Sequence, residues 1–508
     1  MLSLLIGIPL LGATVIGLIP EQWDKQVHRT LALIFGLVLL GLSFGLLLKF
    51  DPNLGSLQLV ETVAWIPQLG LIYELGVDGI SLPLVVMNGL LMLIAIWASG
   101  KVERPRLYYS LLLMLAAAVA GAFLAQNLLL FFLFYEIELI PLYLLIAIWG
   151  GPRRTYAATK FLIYTALSGI LLLIGFFGLS WLSDTNSFTY TVLQAHPLPL
   201  VQQSLLLIPI LLGLAIKIPL VPFHTWLPDA HVEASTPISV LLAGLLLKLG
   251  TYGLLRFGLQ LLPDAWEQAG PWLAGLAVVN VLYGSFNALV QQDMKKLVAY
   301  SSIAHMGYIL LATAAATPLA LVGSVFQMIS HGLISALLFL LVGAVYTNTG
   351  TRDLKLLQGL LNPERGLPLI GSLIVLGVMA SGGTPGMVGF IAEFIVFRGS
   401  FPVFPLQTLL CMIGTGLTAA YFLLMVNRAF FGRLSDVVIT MPRRRLRERL
   451  PAAVLAVIVV LLGLQPAWVT GWVESTTAHL SAPVVFTVAA AGASHFPVNP
   501  VFISRFHC

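Results

Sequence analysis

The chain has 508 residues, of which 59% are hydrophobic and only 9% charged, with a formal net charge of +5. Soluble domains carry about 25% charged residues, so a soluble fold is excluded, and so small a positive balance is no nucleic-acid signature. The two cysteines, Cys411 in an apolar run and Cys508 at the end, suggest no disulfide framework, iron–sulfur cluster or zinc site.

Long apolar runs recur along the whole chain, and a membrane span needs ~20 apolar residues. Lipid cannot satisfy backbone polar groups, so these runs must be helices; the strands of a barrel would alternate instead. The first run, Met1–Ile19, lacks a basic leading region and an A-x-A-type cleavage site, which predicts a retained first helix rather than a signal peptide. About fourteen spans follow from the runs and their polar breaks, near 2–19, 30–48, 80–99, 107–125, 127–149, 157–182, 203–221, 238–260, 272–291, 297–314, 318–346, 367–398, 405–431 and 451–473. The predicted fold class is an all-α polytopic membrane protein.

Two spans are irregular. The seventh runs into Lys217-Ile-Pro219-Leu-Val-Pro222, and the twelfth carries Ser381-Gly-Gly-Thr-Pro385-Gly386 in its middle. Proline removes a helical hydrogen bond and glycine loosens the backbone, so both helices are predicted to be broken. The breaks lie five spans apart, which suggests two five-helix repeats, over 107–261 and 272–432. Residues 1–106 would then hold helices 1–3, and 451–508 helix 14 with a tail. Paired interruptions in corresponding halves point to a transport site; ordinary kinks are the competing explanation.

The loops set orientation. One side carries Lys25, Arg29, Lys101, Arg104, Arg106, Arg153, Arg154, Lys295, Lys296, Arg352, Lys355, Arg365, Arg433 and the cluster Arg443-Arg-Arg-Leu-Arg-Glu-Arg449. The other has little beyond Lys49, Arg256, Arg398 and Arg505. By the positive-inside rule the first side is cytoplasmic, so both termini face away from it. The arginine cluster could bind anionic lipid or a partner, but orientation alone accounts for it.

A charge at a helix centre costs ~2.5–3.5 kcal/mol on insertion scales, so each one in these runs needs a reason. Glu136 and Glu138 lie in the fifth span, two residues apart and hence on nearly opposite faces. Lys217 stands at the break of the seventh span, and a lysine taken out of water trades protons readily near neutrality. Lys248 is in the middle of the eighth span, Glu393 follows the break in the twelfth, and His305 and His331 occupy consecutive spans. Histidine suits proton relay. The ordinary alternative for each is a structural ion pair or a satisfied polar group, and for Glu138 pairing and relay stand equal. An inert scaffold gains little from four such charges as Glu136, Lys217, Lys248 and Glu393. Haem ligation would need facing histidine pairs, and His305 with His331 offers one at most.

The stretch Tyr135-Glu136-Ile-Glu-Leu-Ile-Pro141-Leu-Tyr143, the run Lys217-Ile-Pro-Leu-Val-Pro222-Phe-His224-Thr-Trp226-Leu-Pro228-Asp229-Ala-His231, and Ala243-Gly-Leu-Leu-Leu-Lys248 resemble the antiporter-like subunits of respiratory complex I. Ala299-Tyr-Ser-Ser302-Ile-Ala-His305-Met-Gly307 and Gln327-Met-Ile-Ser-His331-Gly332 fit as well. A glutamate at 393 is similar to the M-type subunit, and the Glu-Leu-Ile-Pro and Trp149-Gly-Gly151 context to the cyanobacterial and plastid enzyme. The resemblance implies fourteen helices, with the two repeats inverted and helices 7 and 12 broken. It also implies a proton relay: Glu136 as the ion-pair glutamate, Lys217 its partner, Lys248 the central lysine and Glu393 the terminal residue. His305, His331 and, more weakly, His231 would form the connecting polar axis. The expected function is proton translocation in the membrane arm of an NAD(P)H- or ferredoxin-plastoquinone oxidoreductase of the thylakoid, with a multi-subunit cation/proton antiporter as the alternative. Expected partners are membrane and peripheral subunits of that complex, neighbouring antiporter-like subunits and lipid, with no nucleic acid. No G-x-G-x-x-G or Walker motif and no cysteine cluster is present. This chain is therefore expected to bind no cofactor, iron–sulfur clusters and plastoquinone being held by other subunits. The last stretch of roughly thirty residues, ending Asn499-Pro-Val-Phe-Ile-Ser-Arg-Phe-His507-Cys508, fits no motif.

Overall fold

The computed structural model describes residues 1–20, 23–441 and 450–491, with side chains placed up to 480. The Arg443–Arg449 cluster, Arg505 and Cys508 lie outside the described residues. Among the described residues, eleven helices are long and apolar enough to cross a membrane, and one bent pair would make a twelfth. They are α2 (Lys25–Leu47), α3 (Ser81–Ala98), α4 (Pro105–Leu124), α5 with α6 (Leu128–Ile137, Leu139–Trp149), α7 (Arg154–Leu182), α9 (Leu200–Lys217) and the continuous segment Thr236–Leu259. Then come α13 (Pro263–Val290), α14 (Met294–Ala315), α15 (Pro318–Thr349) and α18 (Pro405–Phe430). The bent pair is α20 (Leu450–Leu464) with the start of α21 (Ala467–Ala491), folded by 63° after Leu464. Two shorter apolar helices, α1 (Leu2–Leu18) and α16 (Pro368–Ser381), complete the apolar set.

Burial sorts these helices into two classes. Thr236–Leu259 is wholly enclosed and α14 and α15 nearly so, whereas α2, α7 and α18 turn most of their surface outward. A helix that is apolar all round belongs inside a bundle or in lipid, and only the inner class here carries Lys248, His305 and His331. The costly side chains thus sit where protein, not lipid, surrounds them.

Both predicted breaks are present. After α9 ends at Lys217, the chain unwinds through Pro219 and Pro222 and restarts at α10 (Trp226–Glu233). Prolines strip donors from this stretch, and side chains from elsewhere meet part of the remaining demand: Asn280 Oδ1 accepts from Val221 N (2.8 Å), and Trp226 Nε1 donates to the Ile216 carbonyl (2.9 Å). The second break separates α16 from α17 (Val388–Ser400). Gly383 (φ +71°) and Gly386 (φ +85°) turn it, in backbone conformations that favour glycine. Gly389 then lets α17 press on the end of α16, since a Cβ there would stand 1.9 Å from the Ala380 carbonyl oxygen.

Two further irregularities were not expected. The helical hydrogen bonding of the fifth span is interrupted at Glu138, because Pro141 has no N–H to offer the Ile137 carbonyl, while the backbone there stays helical (φ −65°, ψ −24°). Its neighbouring bonds are stretched, Glu138 N to the Phe134 carbonyl at 3.4 Å and Leu142 N to the Glu138 carbonyl at 3.3 Å. In the eighth span, π-helical turns at Leu242–Leu246 and Leu254–Leu259 flank α12 (Leu247–Gly253), which carries Lys248. Such turns gather at functional sites because they re-aim side chains.

Between α2 and α3 lies an antiparallel hairpin, β1 (Gln58–Ile66) with β2 (Leu71–Val77). Glu61 ties it to α1 by accepting from Leu2 N (2.9 Å) and Ser3 N (3.0 Å). Beyond β2, Asp78 accepts from Ile80 N and Ser81 N and forms a buried ion pair with Arg256 of the eighth span. Tyr252 and Tyr190 place their rings 5.2 and 5.6 Å from the guanidinium. Removing one partner of a buried pair leaves a stranded charge and costs about 3–5 kcal/mol. Arg256→Ala is therefore expected to lower the melting temperature of the purified protein sharply. Arg256→Met combined with Asp78→Asn should recover most of the loss, since asparagine still caps Ile80 and Ser81; equal melting of the single and double variants would contradict this.

Candidate proton-relay site

The sequence expectation that Glu136 pairs with Lys217 is corrected by the geometry. The Lys217 ammonium donates to Glu138 Oε1, and both side chains are wholly enclosed. Two residues apart, the two carboxylates point to nearly opposite faces of the span, and the packing of the bundle turns the Glu138 face toward Lys217. Lys217 also sits 4.2 Å from the centre of the Tyr135 ring, a cation on an aromatic face. Tyr135 is fixed in turn by a 2.7 Å hydroxyl contact to Ser168, whose Oγ donates to the Gly213 carbonyl at 2.7 Å. Glu136 lies half-buried on another flank, against Gly169 of α7, with its enclosed Oε1 in no hydrogen bond.

Lys248, His331, His305 and Glu393 come together. Lys248 Nζ donates to the Ala243 carbonyl at 2.5 Å and stands 2.7 Å from His331 Nδ1. The His331 and His305 rings are 5.5 Å apart. His305 Nδ1 lies 2.7 Å from the Ser301 carbonyl, which can only accept. That bond puts the ring hydrogen on Nδ1 and leaves Nε2 free to take a proton. Nε2 points at Glu393 Oε1, 3.8 Å away. This is too long for a direct hydrogen bond and suited to a bridging water or a small ring rotation. Glu393 is anchored at its other oxygen by the Thr415 hydroxyl (2.8 Å). A cavity touching His305, His331, Gln327, Ser301 and Glu393 links the two imidazoles to the carboxylate, with room for about one water. His331 Nε2, which has no protein partner, belongs to the same polar line.

His231 stands apart from that line. It is fully enclosed, stacked on Phe339 at 4.4 Å, and neither ring nitrogen has a hydrogen-bond partner. Lys248 and, from α14, Lys295 both act on it electrostatically. Lys217 and Lys248 are joined by no hydrogen bond or ion pair among the described residues, but Gly250 brings their helices together: a Cβ on it would lie 3.3 Å from Lys217 Cβ. Sequence reasoning missed Thr415 and Ser168, and gave Tyr135 no role beyond its place in the resembling stretch. A hydroxyl in an apolar helix commonly bonds its own preceding turn, so nothing in the local pattern marked them. Among the described residues no group of three or more histidine, cysteine, aspartate or glutamate side chains could hold a metal ion.

The chain is similar to proteins of one kind along almost its entire length. NAD(P)H-quinone oxidoreductase chain 4 from a Nostoc species is 41% identical over 499 residues, covering 95% of this chain and 91% of the relative. A chain 4 from a Synechococcus species is 43% identical over 496 residues, covering 95% and 93%. Among solved structures, a chain of respiratory complex I from Thermus thermophilus aligns with a TM-score of 0.85 at 27% identity, over 95% of this chain and 100% of its own. A chain of the Mrp complex from a Dietzia species shares the fold, with a TM-score of 0.85 at 23% identity over 97% and 99%. The model of the NADH:quinone oxidoreductase/Mrp antiporter transmembrane family matches residues 125–418, the stretch that holds every candidate residue described above. With that match and relatives above 40% identity over nearly all its length, the chain belongs to the NADH:quinone oxidoreductase/Mrp antiporter transmembrane family.

Proposed function

We propose that this chain is a proton-translocating membrane-arm subunit of an NAD(P)H- or ferredoxin-plastoquinone oxidoreductase in a cyanobacterial-type thylakoid membrane, with both termini on the lumenal side. The observation that carries the reading is the succession of polar side chains from Lys248 through His331 and His305, all in the most enclosed helices, to the buried Glu393, with one small cavity joining the imidazoles to the carboxylate. Counting α1, the bent pair and the α16–α17 segment as spans brings the apolar helices to the fourteen of the family. The matching breaks after Lys217 and Ser381 support inverted repeats over 107–261 and 272–432.

The residues would act in order. With Glu138 beside it, Lys217 holds a proton. When the pair opens, the unpaired ammonium is destabilised, and its proton leaves over water toward Lys248. His331 and His305 hand the charge on, and Glu393 takes it at the second break. Moving one charge against 100 mV needs ~2.3 kcal/mol, about 1.7 pKa units, and gaining or losing an opposite charge nearby shifts a pKa by about 1–3 units. One pair is therefore sufficient to drive one proton. Quinone reduction would take place on other subunits, which hold the iron–sulfur clusters.

The Mrp likeness keeps one second reading in play, a subunit of a cation/proton antiporter. Purifying the complex through a tag on this chain and placing it in vesicles separates the two. We expect quinone-reducing partners and quinone-dependent proton movement reported by a pH-sensitive dye. Proton movement driven by a sodium gradient, with only small antiporter subunits attached, would favour the second reading.

A further inference from the structure

The loop between α3 and α4 meets the end of the fifth span in a recess of about 320 Å³, lined by Glu103, Arg104, Ala147, Ile148, Trp149 and Arg154. That volume falls at the small end of ligand pockets, ~300–1,000 Å³. Trp149 builds the recess. Its indole Nε1 donates to the Glu103 carbonyl at 2.7 Å and its ring meets Tyr108 edge-on at 5.1 Å, so the loop is pinned to the helix. Arg104 closes the loop in a left-handed conformation (φ +50°), which side chains other than glycine seldom adopt. Neighbouring arginines are already engaged, Arg153 with Glu233 (3.6 Å) and Arg352 with Asp293 (3.3 Å). Among the described residues the Arg104 guanidinium has no hydrogen bond or ion pair, and Arg154 has only a 3.5 Å contact to the Gly150 carbonyl. The Glu103 carboxylate is in no ion pair there either. Two guanidiniums and one carboxylate leave the recess with a single positive charge.

We propose that this recess seats the headgroup of a singly charged anionic phospholipid of the phosphatidylglycerol type. The phosphate lies between Arg104 and Arg154, whose planar donor forks match phosphate oxygens. The glycerol hydroxyls donate to the Glu103 carboxylate, which can only accept. Ala147, Ile148 and the Trp149 ring give the ester region an apolar wall, and tryptophan is enriched where hydrocarbon meets water. Trp149 ends the span Leu128–Trp149, so the recess stands at the membrane border, within reach of a lipid. The charges choose among lipids, because a zwitterionic headgroup would leave the positive charge of the recess unbalanced. A free phosphate ion would suit the arginines and make no use of the apolar wall.

The test places the assembled complex in phosphatidylcholine vesicles containing a minor share of phosphatidylglycerol with a photoactivatable diazirine on its acyl chain next to the ester. After illumination, mass spectrometry of the digested chain is expected to find label on peptides covering 147–154. From the usual strength of an arginine at an anionic lipid, Arg104→Gln should lower that labelling about fivefold, and Arg104→Gln with Arg154→Gln about thirtyfold. Trp149→Phe keeps a ring but frees the Glu103 carbonyl, and should lower it as well. Should the double variant fail to assemble, the two single variants decide. Equal labelling by a phosphatidylcholine probe would overturn the choice of an anionic lipid. Protection by excess inorganic phosphate would assign the recess to a free ion and overturn the lipid. Absence of label from the assembled wild type would mean that a neighbouring subunit fills the recess, and wild-type labelling in the double variant that the arginines hold no headgroup; either result overturns the proposal.

Discussion

Lys217→Ala is expected to abolish proton translocation and also to weaken the protein, and the two losses can be separated. The substitution leaves the Glu138 carboxylate enclosed without its cation, at a cost of about 3–5 kcal/mol. Adding Glu138→Gln removes the stranded charge, so the double variant should regain most of the melting temperature. It should still translocate no protons, because no ammonium remains to be held or released. Melting of the purified complex, together with dye-reported proton movement per quinone reduced, gives both quantities on one sample. A double variant that regains stability and also pumps would show that the pair is structural. Glu138→Gln alone is the informative companion. It keeps a carbonyl oxygen for Lys217 to donate to but removes the charge that holds the proton there. Its pumping should fall while its stability falls by less than that of Lys217→Ala.

How much of this was legible in the sequence follows from how local each signal is. Apolar runs fix membrane helices because lipid leaves the backbone no other choice. The breaks at Lys217–Pro222 and Ser381–Gly386 announce themselves through proline and glycine, and the structure has both. Lys248, His305, His331 and Glu393 stand out because charge is expensive in such runs. What the sequence could not give is phase and distance. The i,i+2 rule separates Glu136 from Glu138 without saying which meets Lys217, and tertiary packing decides in favour of Glu138. Asp78 and Arg256 are 178 residues apart, so their pairing depends wholly on tertiary packing. The hairpin at 58–77 was missed because Gln58-Leu-Val-Glu-Thr-Val-Ala-Trp-Ile does not alternate cleanly between apolar and polar. Thr415, the anchor of Glu393, is one hydroxyl in an apolar helix and becomes informative only when the carboxylate is seen beside it.

The second large effect lies at His331. Asparagine there should still offer Lys248 an oxygen near the place of Nδ1, so the 2.7 Å contact can be kept and the protein should melt close to wild type. An amide cannot take up and release a proton near neutrality as imidazole does. General acid–base groups are typically worth 10²–10⁴ in rate, and the proposed relay has no alternative titratable group between Lys248 and His305 among the described residues. His331→Asn is therefore expected to reduce the protons translocated per quinone by about 10²-fold. His305→Asn should do the same, its amide nitrogen replacing the donor to the Ser301 carbonyl while the free Nε2 that faces Glu393 is lost. If the two histidines act in series, the double variant is no worse than the worse single one, because a line cut once is already cut. Parallel routes would instead give multiplied losses. Full pumping in either single variant would remove that histidine from the line and leave water in the adjoining cavity as the carrier between Lys248 and Glu393.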